Sequence, residues 1–285
     1  MKMNTKKKKT KLTAGLVFQY IAVIAYVLFL GFPFLWMFIT SLKTPIELLE
    51  LNQSLIPKHF YLQNYVEIMQ KKGLLRSAGN SLIVASISTV LTIAVAIPAG
   101  YAIARLRKAY GKAATGWILF SQVFPLSLVI IPLFMAVRRL HLLDSLQGLV
   151  IVYIVANLPF ALWMLRGYVS NIPIDLEEAG AIDGANIFQI LRNIVMPLLM
   201  PGIVATSLFT LLNSWNEFFF ALVFIQTPEK ETLPLTLARF VGTEGQVLLG
   251  PLAAGAFLAT IPSLIVFGII QKRISSGLLA GAVKG

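Results

Sequence analysis

Residues 81–104, SLIVASISTVLTIAVAIPAGYAIA, contain no charged side chain and close on Arg105. A helix needs about 20 residues to cross roughly 30 Å of hydrocarbon, and this run lacks the strict alternation of a barrel strand. Backbone polar groups in lipid must be satisfied within the segment, so the stretch reads as a membrane-spanning helix. Five further runs, charge-free apart from Glu217, fit the same description near residues 16–40, 115–137, 147–165, 202–226 and 250–271. The reading is an all-α membrane protein with six transmembrane helices, forming a single transmembrane domain over residues 1–285.

Composition agrees. Hydrophobic residues make up 57% of the chain and charged residues 13%, with a mean hydropathy of +0.80, outside the usual range of soluble domains. The net charge of +12 does not point to nucleic acid, because the basic residues lie between apolar runs and form no stripe with aromatics. With no cysteine, disulfides, thiolate nucleophiles and cysteine metal sites are excluded. A basic N-terminus followed by an apolar run also describes a signal peptide. This run is longer than the usual 7–15 residues and shows no small-residue cleavage site, so it reads as an uncleaved first span.

Lysine and arginine favour the cytoplasmic side. With six spans, one side carries the basic N-terminus of residues 1–12 (Lys2, Lys6, Lys7, Lys8, Lys9, Lys11). It also carries Arg105, Arg107, Lys108, Lys112, Arg166, Arg192, Lys272, Arg273 and Lys284, the last three in a tail over residues 272–285. Both termini are therefore expected in the cytoplasm.

The least membrane-like part of the C-terminal two-thirds is the loop of residues 171–201, which opens NIPIDLEEAGAIDGANIFQILRNIVMP over residues 171–197. Ser170 or Asn171 can cap a helix that Pro173 helps to start, with Asp175, Glu177 and Glu178 well placed against the positive end of its dipole. Gly184 can break it. A second stretch, with Ile187, Ile190, Leu191 and Ile194 on one face, would lie on the bilayer or against the bundle until Pro197. Ala179, Gly180 and Ala181 suit close docking into another protein's groove; an ordinary amphipathic interfacial helix fits the same residues.

Within the predicted spans, Glu217 is the one carboxylate, and Asn213 precedes it by four residues with Asn216 nearby. An ionisable group in lipid is costly, so this face should line a substrate path or gate, or serve as polar glue between helices. Trp215 reads as packing. Prolines 33, 98, 125, 132, 159 and 262 can kink their spans. His59 and His141 stand isolated in outer loops and give no metal site. No nucleophile has a base beside it, so no catalytic residue is assigned.

The loop resembles the EAA loop of ABC importer permeases, whose pattern is Glu-Ala-Ala, three residues, Gly, nine residues, then Ile-x-Leu-Pro. Glu178, Ala179, Gly184, Ile194 and Pro197 match; Gly180 replaces the second alanine and Met196 the leucine. Asp183-Gly184-Ala185 and the tail from Gly277 to Gly285, which includes Gly281 and Lys284, are similar to the carbohydrate branch of the maltose-importer class. Asn80-Ser81 and Trp215-Asn216-Glu217 extend the likeness.

The resemblance implies a type I ABC importer permease bundle in a prokaryotic inner membrane, with the EAA loop as a cytoplasmic helical coupling element between spans four and five. It implies a homologous permease partner in a heterodimer, two cytoplasmic ATPase subunits and an extracytoplasmic solute-binding protein. In that scheme Glu178, Ala179, Gly180, Asp183, Gly184 and Ala185 engage the ATPase, and Gly281 and Lys284 reach toward it. ATP and Mg would be held by the ATPase, since this chain has no Gly-x-x-x-x-Gly-Lys-Ser/Thr phosphate loop and binds no cofactor of its own. The outer loops from Lys43 to Arg76 and near residues 227–249 would face the binding protein. The cargo implied is a sugar or oligosaccharide, with glycerol phosphate or another polyol derivative as the alternative. An ion-coupled secondary transporter, and then a membrane enzyme or scaffold, are the readings from other classes.

Overall fold

The computed structural model describes residues 14–52, 54–71, 73–106, 108–240 and 247–282. The basic N-terminus of residues 1–12 and Lys284 lie outside the described residues. The described residues are almost entirely helical. Five helices are long and apolar enough to cross a membrane, and a bent pair makes six if the two halves count as one span.

The first span is α1 (Ala14–Ser41). Two short helices follow, α2 (Pro45–Leu49) and α3 (Gln63–Lys71), so the expected outer loop is itself folded. Helix α4 (Leu74–Arg105) is the quoted stretch with two further turns at its start. The predicted third span is not one straight helix. It is α5 (Lys108–Val123) and α6 (Leu126–Arg139), with a 97° bend between them. Pro125 stands at that corner, and a proline both removes a helix donor and pushes the residue before it, Phe124, out of helical geometry.

Helix α7 (Leu146–Ser170) is the fourth span, and α8 (Asp175–Ile182) and α9 (Ile187–Ile190) form a hairpin beyond it. A π turn at Leu191–Val195 then leads into α10 (Met196–Trp215). The second half of the loop therefore does not lie flat until Pro197. It is the first part of a continuous span from Ile187 to Trp215. Pro197 cannot donate to Asn193, and the wider π turn around Asn193 absorbs the lost bond without ending the helix.

The predicted fifth span is also shorter than expected. After Trp215 the chain breaks and restarts as α11 (Phe219–Phe224). A helical turn at Pro228–Lys230, α12 (Leu233–Ala238) and the long α13 (Leu249–Ala282) complete the order. Gly281 falls in the last turn of α13.

The bundle is organised around α4, which packs most extensively against α7 and next against α10. Near the hairpin, Ile93, Ala96, Leu165, Val169, Val195 and Leu199 form one apolar cluster. Toward the opposite end, Val84, Leu149, Tyr153, Phe220 and Phe224 form another. Helix α1 stands apart, packed chiefly on α13, with Phe38 and Phe257 ring centroids 4.9 Å apart.

Candidate functional site

The hairpin is built from three local devices. At its start, α8 has Asp175, Glu177 and Glu178 in its first turn, where carboxylates favour the helix dipole. Its cap is not Ser170 or Asn171, because α7 runs through Ser170 and Asn171 closes that helix; α8 begins at Ile174 without a side-chain cap. At its end, Gly184 adopts φ +86°, a left-handed conformation that costs a side-chain-bearing residue about 1 kcal/mol or more. The Ala185 N–H donates to Gly180 O at 3.0 Å and the Gly184 N–H to Ala181 O at 3.1 Å, the paired bonds of a Schellman stop. Asn186 and Gln189 then form a reciprocal capping box that starts α9.

The two faces of α8 differ. Glu177 is buried, and side chains on α4 converge on it: the Tyr101 hydroxyl donates at 2.8 Å and Arg105 Nε at 3.0 Å, with Arg105 Nη2 closing an ion pair. Arg105 Nη2 also donates to Ile172 O at 3.1 Å in the α7–α8 linker. Tyr101 and Arg105 sit four apart, which places both on one face of α4. Removing one partner of such a buried pair costs about 3–5 kcal/mol, because the other charge is left without compensation.

Gly180 also faces inward. A Cβ there would stand 2.5 Å from Ile194 Cδ1 in the π turn, so the missing side chain lets α8 pack closely on the start of the next span. The outward face carries exposed Glu178, Ala179, Asp183 and Gly184, while Ala185 is half-buried. Beside them Ile182, Ile187 and Phe188 are 86%, 64% and 65% exposed.

Of the expected trio in span five, Asn213 and Asn216 share an exposed face, and Glu217 stands apart past the helix end. Asn213 donates to Asn157 Oδ1 at 2.8 Å, and Asn157 donates to Tyr153 O at 2.8 Å and Ser214 Oγ at 3.1 Å. Ser88 Oγ approaches Ser214 Oγ at 3.3 Å, so α4, α7 and α10 meet in one polar seam. Asn216 donates to Leu212 O in its own helix. Glu217 lies past the helix end and caps α11, accepting from the Phe220 N–H at 2.8 Å and the Ala221 N–H at 3.2 Å. Its carboxylate is thus engaged by backbone donors. Asn213 and Asn216, three apart, are exposed on one face of α10. Trp215 is buried and its indole N–H donates to Ala259 O at 3.3 Å, as packing requires.

A cavity of about 540 Å3 lies between α5, α7 and α11, walled by Trp117, Phe120, Gln122, Phe124, Pro159 and Phe220, with no charged lining residue among those described.

Opposite the hairpin, the bundle is closed by polar ties. Asn80 Nδ2 donates to Glu229 O and Glu231 O at 3.0 and 2.9 Å, Ser77 meets Thr236 at 2.6 Å, and the Leu233 N–H donates to Ser81 Oγ at 2.8 Å. Glu231 is buried and paired with half-exposed Arg239. Asp144 accepts from the Gln226 and Thr227 N–H groups, each at 2.9 Å, from the Thr227 hydroxyl and from Lys230. Burial alone would raise the Asp144 pKa, but these donors outweigh it and hold the carboxyl well below its usual range. Among the described residues no His, Asp and Glu cluster fits a metal ion.

Sequence reasoning placed Glu177 at the helix start and Arg105 on the cytoplasmic side, but missed the bond between them and Tyr101 altogether. The signal was the helical spacing, since Glu177 and Gly180 share the face turned to the bundle whereas Glu178 does not.

A bundle of long apolar helices that passes repeatedly through the bilayer defines an integral membrane protein. Residues 96–279 match the binding-protein-dependent transport system inner membrane component family, and the chain belongs to it. The permease protein DasC of the diacetylchitobiose uptake system of Streptomyces coelicolor is 34% identical over 265 residues, covering 92% of this chain and 96% of that one. MalG, a trehalose/maltose transport system permease of Thermococcus litoralis, is 34% identical over 256 residues, covering 89% and 91%. A chain of a bacterial ABC transporter that imports the acidic polysaccharide alginate superposes with a TM-score of 0.74 at 23% identity, covering 90% of this chain and 95% of that one. The protein is an ABC importer permease of the inner membrane and not an enzyme. Family membership decides against the ion-coupled transporter.

Proposed function

We propose that this chain is the transmembrane subunit of an ATP-driven importer for a sugar or oligosaccharide, and that α8 couples it to a cytoplasmic ATPase. The observation that carries the coupling is the split of α8 into a buried face held by Glu177 and a bare face carrying Glu178, Ala179, Asp183, Ile182 and, across the turn, Phe188. In this reading both termini and the hairpin lie in the cytoplasm, in line with the lysine-rich N-terminus. Two ATPase subunits hold ATP and Mg. A homologous permease completes a heterodimer, and a solute-binding protein docks at the opposite end. The tail with Gly281 and Lys284 extends toward the ATPase.

The sugar assignment is supported by two relatives whose names specify disaccharides. Chemistry agrees, because the 540 Å3 cavity is uncharged with aromatic walls, and the exposed Asn213 and Asn216 offer amides without charge. Aromatic faces and amides suit the apolar and hydroxyl faces of a sugar ring better than a phosphate.

Gentle solubilisation and affinity purification test the coupling, comparing wild type with Glu178→Lys by mass spectrometry. Charge reversal on an exposed docking face should remove the ATPase while the partner permease remains bound. A wild-type chain that purifies without an ATPase, where other ABC complexes stay intact, would overturn the reading.

A further inference from the structure

We propose that Arg105 and Tyr101 of α4 form, with Glu177 of α8, the latch through which movement of the coupling helix enters the bundle, and that α4 carries it to the opposite face. The proposal rests on the reading of α8 as the coupling helix.

Among the described residues, the side-chain hydrogen bonds that tie α8 to a span all converge on Glu177. The most extensive remaining packing of α8 is against α9 and the π turn at the start of the next span. That packing couples α8 to the span that follows it in the chain. The buried carboxylate also fixes α8 to a helix that is not its neighbour in sequence. Arg105 adds a bond to Ile172 O, so the linker from α7 is held by the same guanidinium.

Helix α4 is suited to transmit that motion. Its 32 residues run for about 48 Å as one continuous helix, with Pro98 inside it. One end holds Glu177. The other, through Ser77, Asn80 and Ser81, holds the segment from Glu229 to Thr236 on the far face. Midway, Ser88 meets Ser214 of α10 in the polar seam. A displacement of α8 along α4 therefore shifts the far segment without passing through the hairpin's own continuation into α10. Arg105, Tyr101 and Glu177 are positioning residues that touch neither nucleotide nor solute.

The test uses the whole complex in proteoliposomes and reads sugar transported per ATP hydrolysed. Glu177→Gln should leave the ATPase in the complex and lower that ratio at least tenfold. The exchange Arg105→Glu with Glu177→Arg should restore it to within threefold of wild type. Tyr101→Phe, which keeps the ion pair and removes one hydrogen bond, should lower it about threefold and covers the case in which Glu177→Gln does not assemble. A wild-type ratio in Glu177→Gln would overturn the latch, as would loss of the ATPase from that variant, which would make Glu177 part of the docking face. If Glu178→Lys keeps the ATPase, the coupling reading itself falls and the latch falls with it.

Discussion

The two ends of the bundle are closed in opposite ways. Around α8 one buried ion pair and one glycine turn hold a hairpin whose tip leaves Ile182, Ile187 and Phe188 bare. At the far end, Asp144, Glu231, Asn80, Ser77 and Ser81 tie loops to helices through many bonds, and buried Lys43 donates to Ser54 O at 2.6 Å while lying over the Trp36 ring. Both ends leave apolar side chains bare, Ile182, Ile187 and Phe188 at the first and Leu49, Leu51, Ile56 and Phe60 at the second, and what differs is how many polar bonds hold each. The difference follows from where charged and polar groups find partners within the chain, since a buried charge needs one.

That contrast breaks most readily at Glu231. Arg239→Ala should destabilise the far end by about 3 kcal/mol, because it strands a buried carboxylate. Glu231→Gln should cost less, because the half-exposed guanidinium left behind can be hydrated. Thermal unfolding in detergent checks the order of the two, and an inverse order would mean that the belt of polar ties at the far end is not held by that pair. At the hairpin, Gly184→Ala should cost about 1 kcal/mol through its φ of +86°. It should weaken ATPase recovery before it lowers the unfolding temperature of the bundle; equal losses would show that the hairpin is no more independent than the belt.

The mildest probe is pH. Asp144 has a lowered folded pKa, so its stabilisation is complete above the unfolded value of 3.8 and fades as pH falls below that value toward the folded one. The difference in melting temperature between wild type and Asp144→Asn should be constant at neutral pH and shrink below about pH 4. A difference that shrinks already near pH 6 would point to another group.

Span number and the place of the hairpin were legible because charge-free length and a carboxylate-rich interruption are local signals. Gly184 was legible as a break for the same reason. The bend at Pro125 and the π turn before Pro197 were not. Proline marks a lost donor, but surrounding packing decides whether the chain turns by 97°, as at Pro125, or carries on, as at Pro197. Glu217 was legible as a costly group, but its engagement by backbone N–H groups of α11 was not, because that depends on the helix break after Trp215. Glu177 was passed over for its neighbour because its partners lie 72 and 76 residues away on α4.

Helix α1 carries a consequence for how the protein is made. Its main partner is α13, whose first residue, Leu249, is synthesised long after Ser41. At about 5–20 residues per second, α1 waits roughly 10–40 s in the bilayer before that surface exists. Its most hydrophobic stretch remains unburied even in the finished chain. A span that must outlast such an interval has to be stable in lipid unaided, and the all-round apolar surface of α1 meets that demand from the moment of insertion.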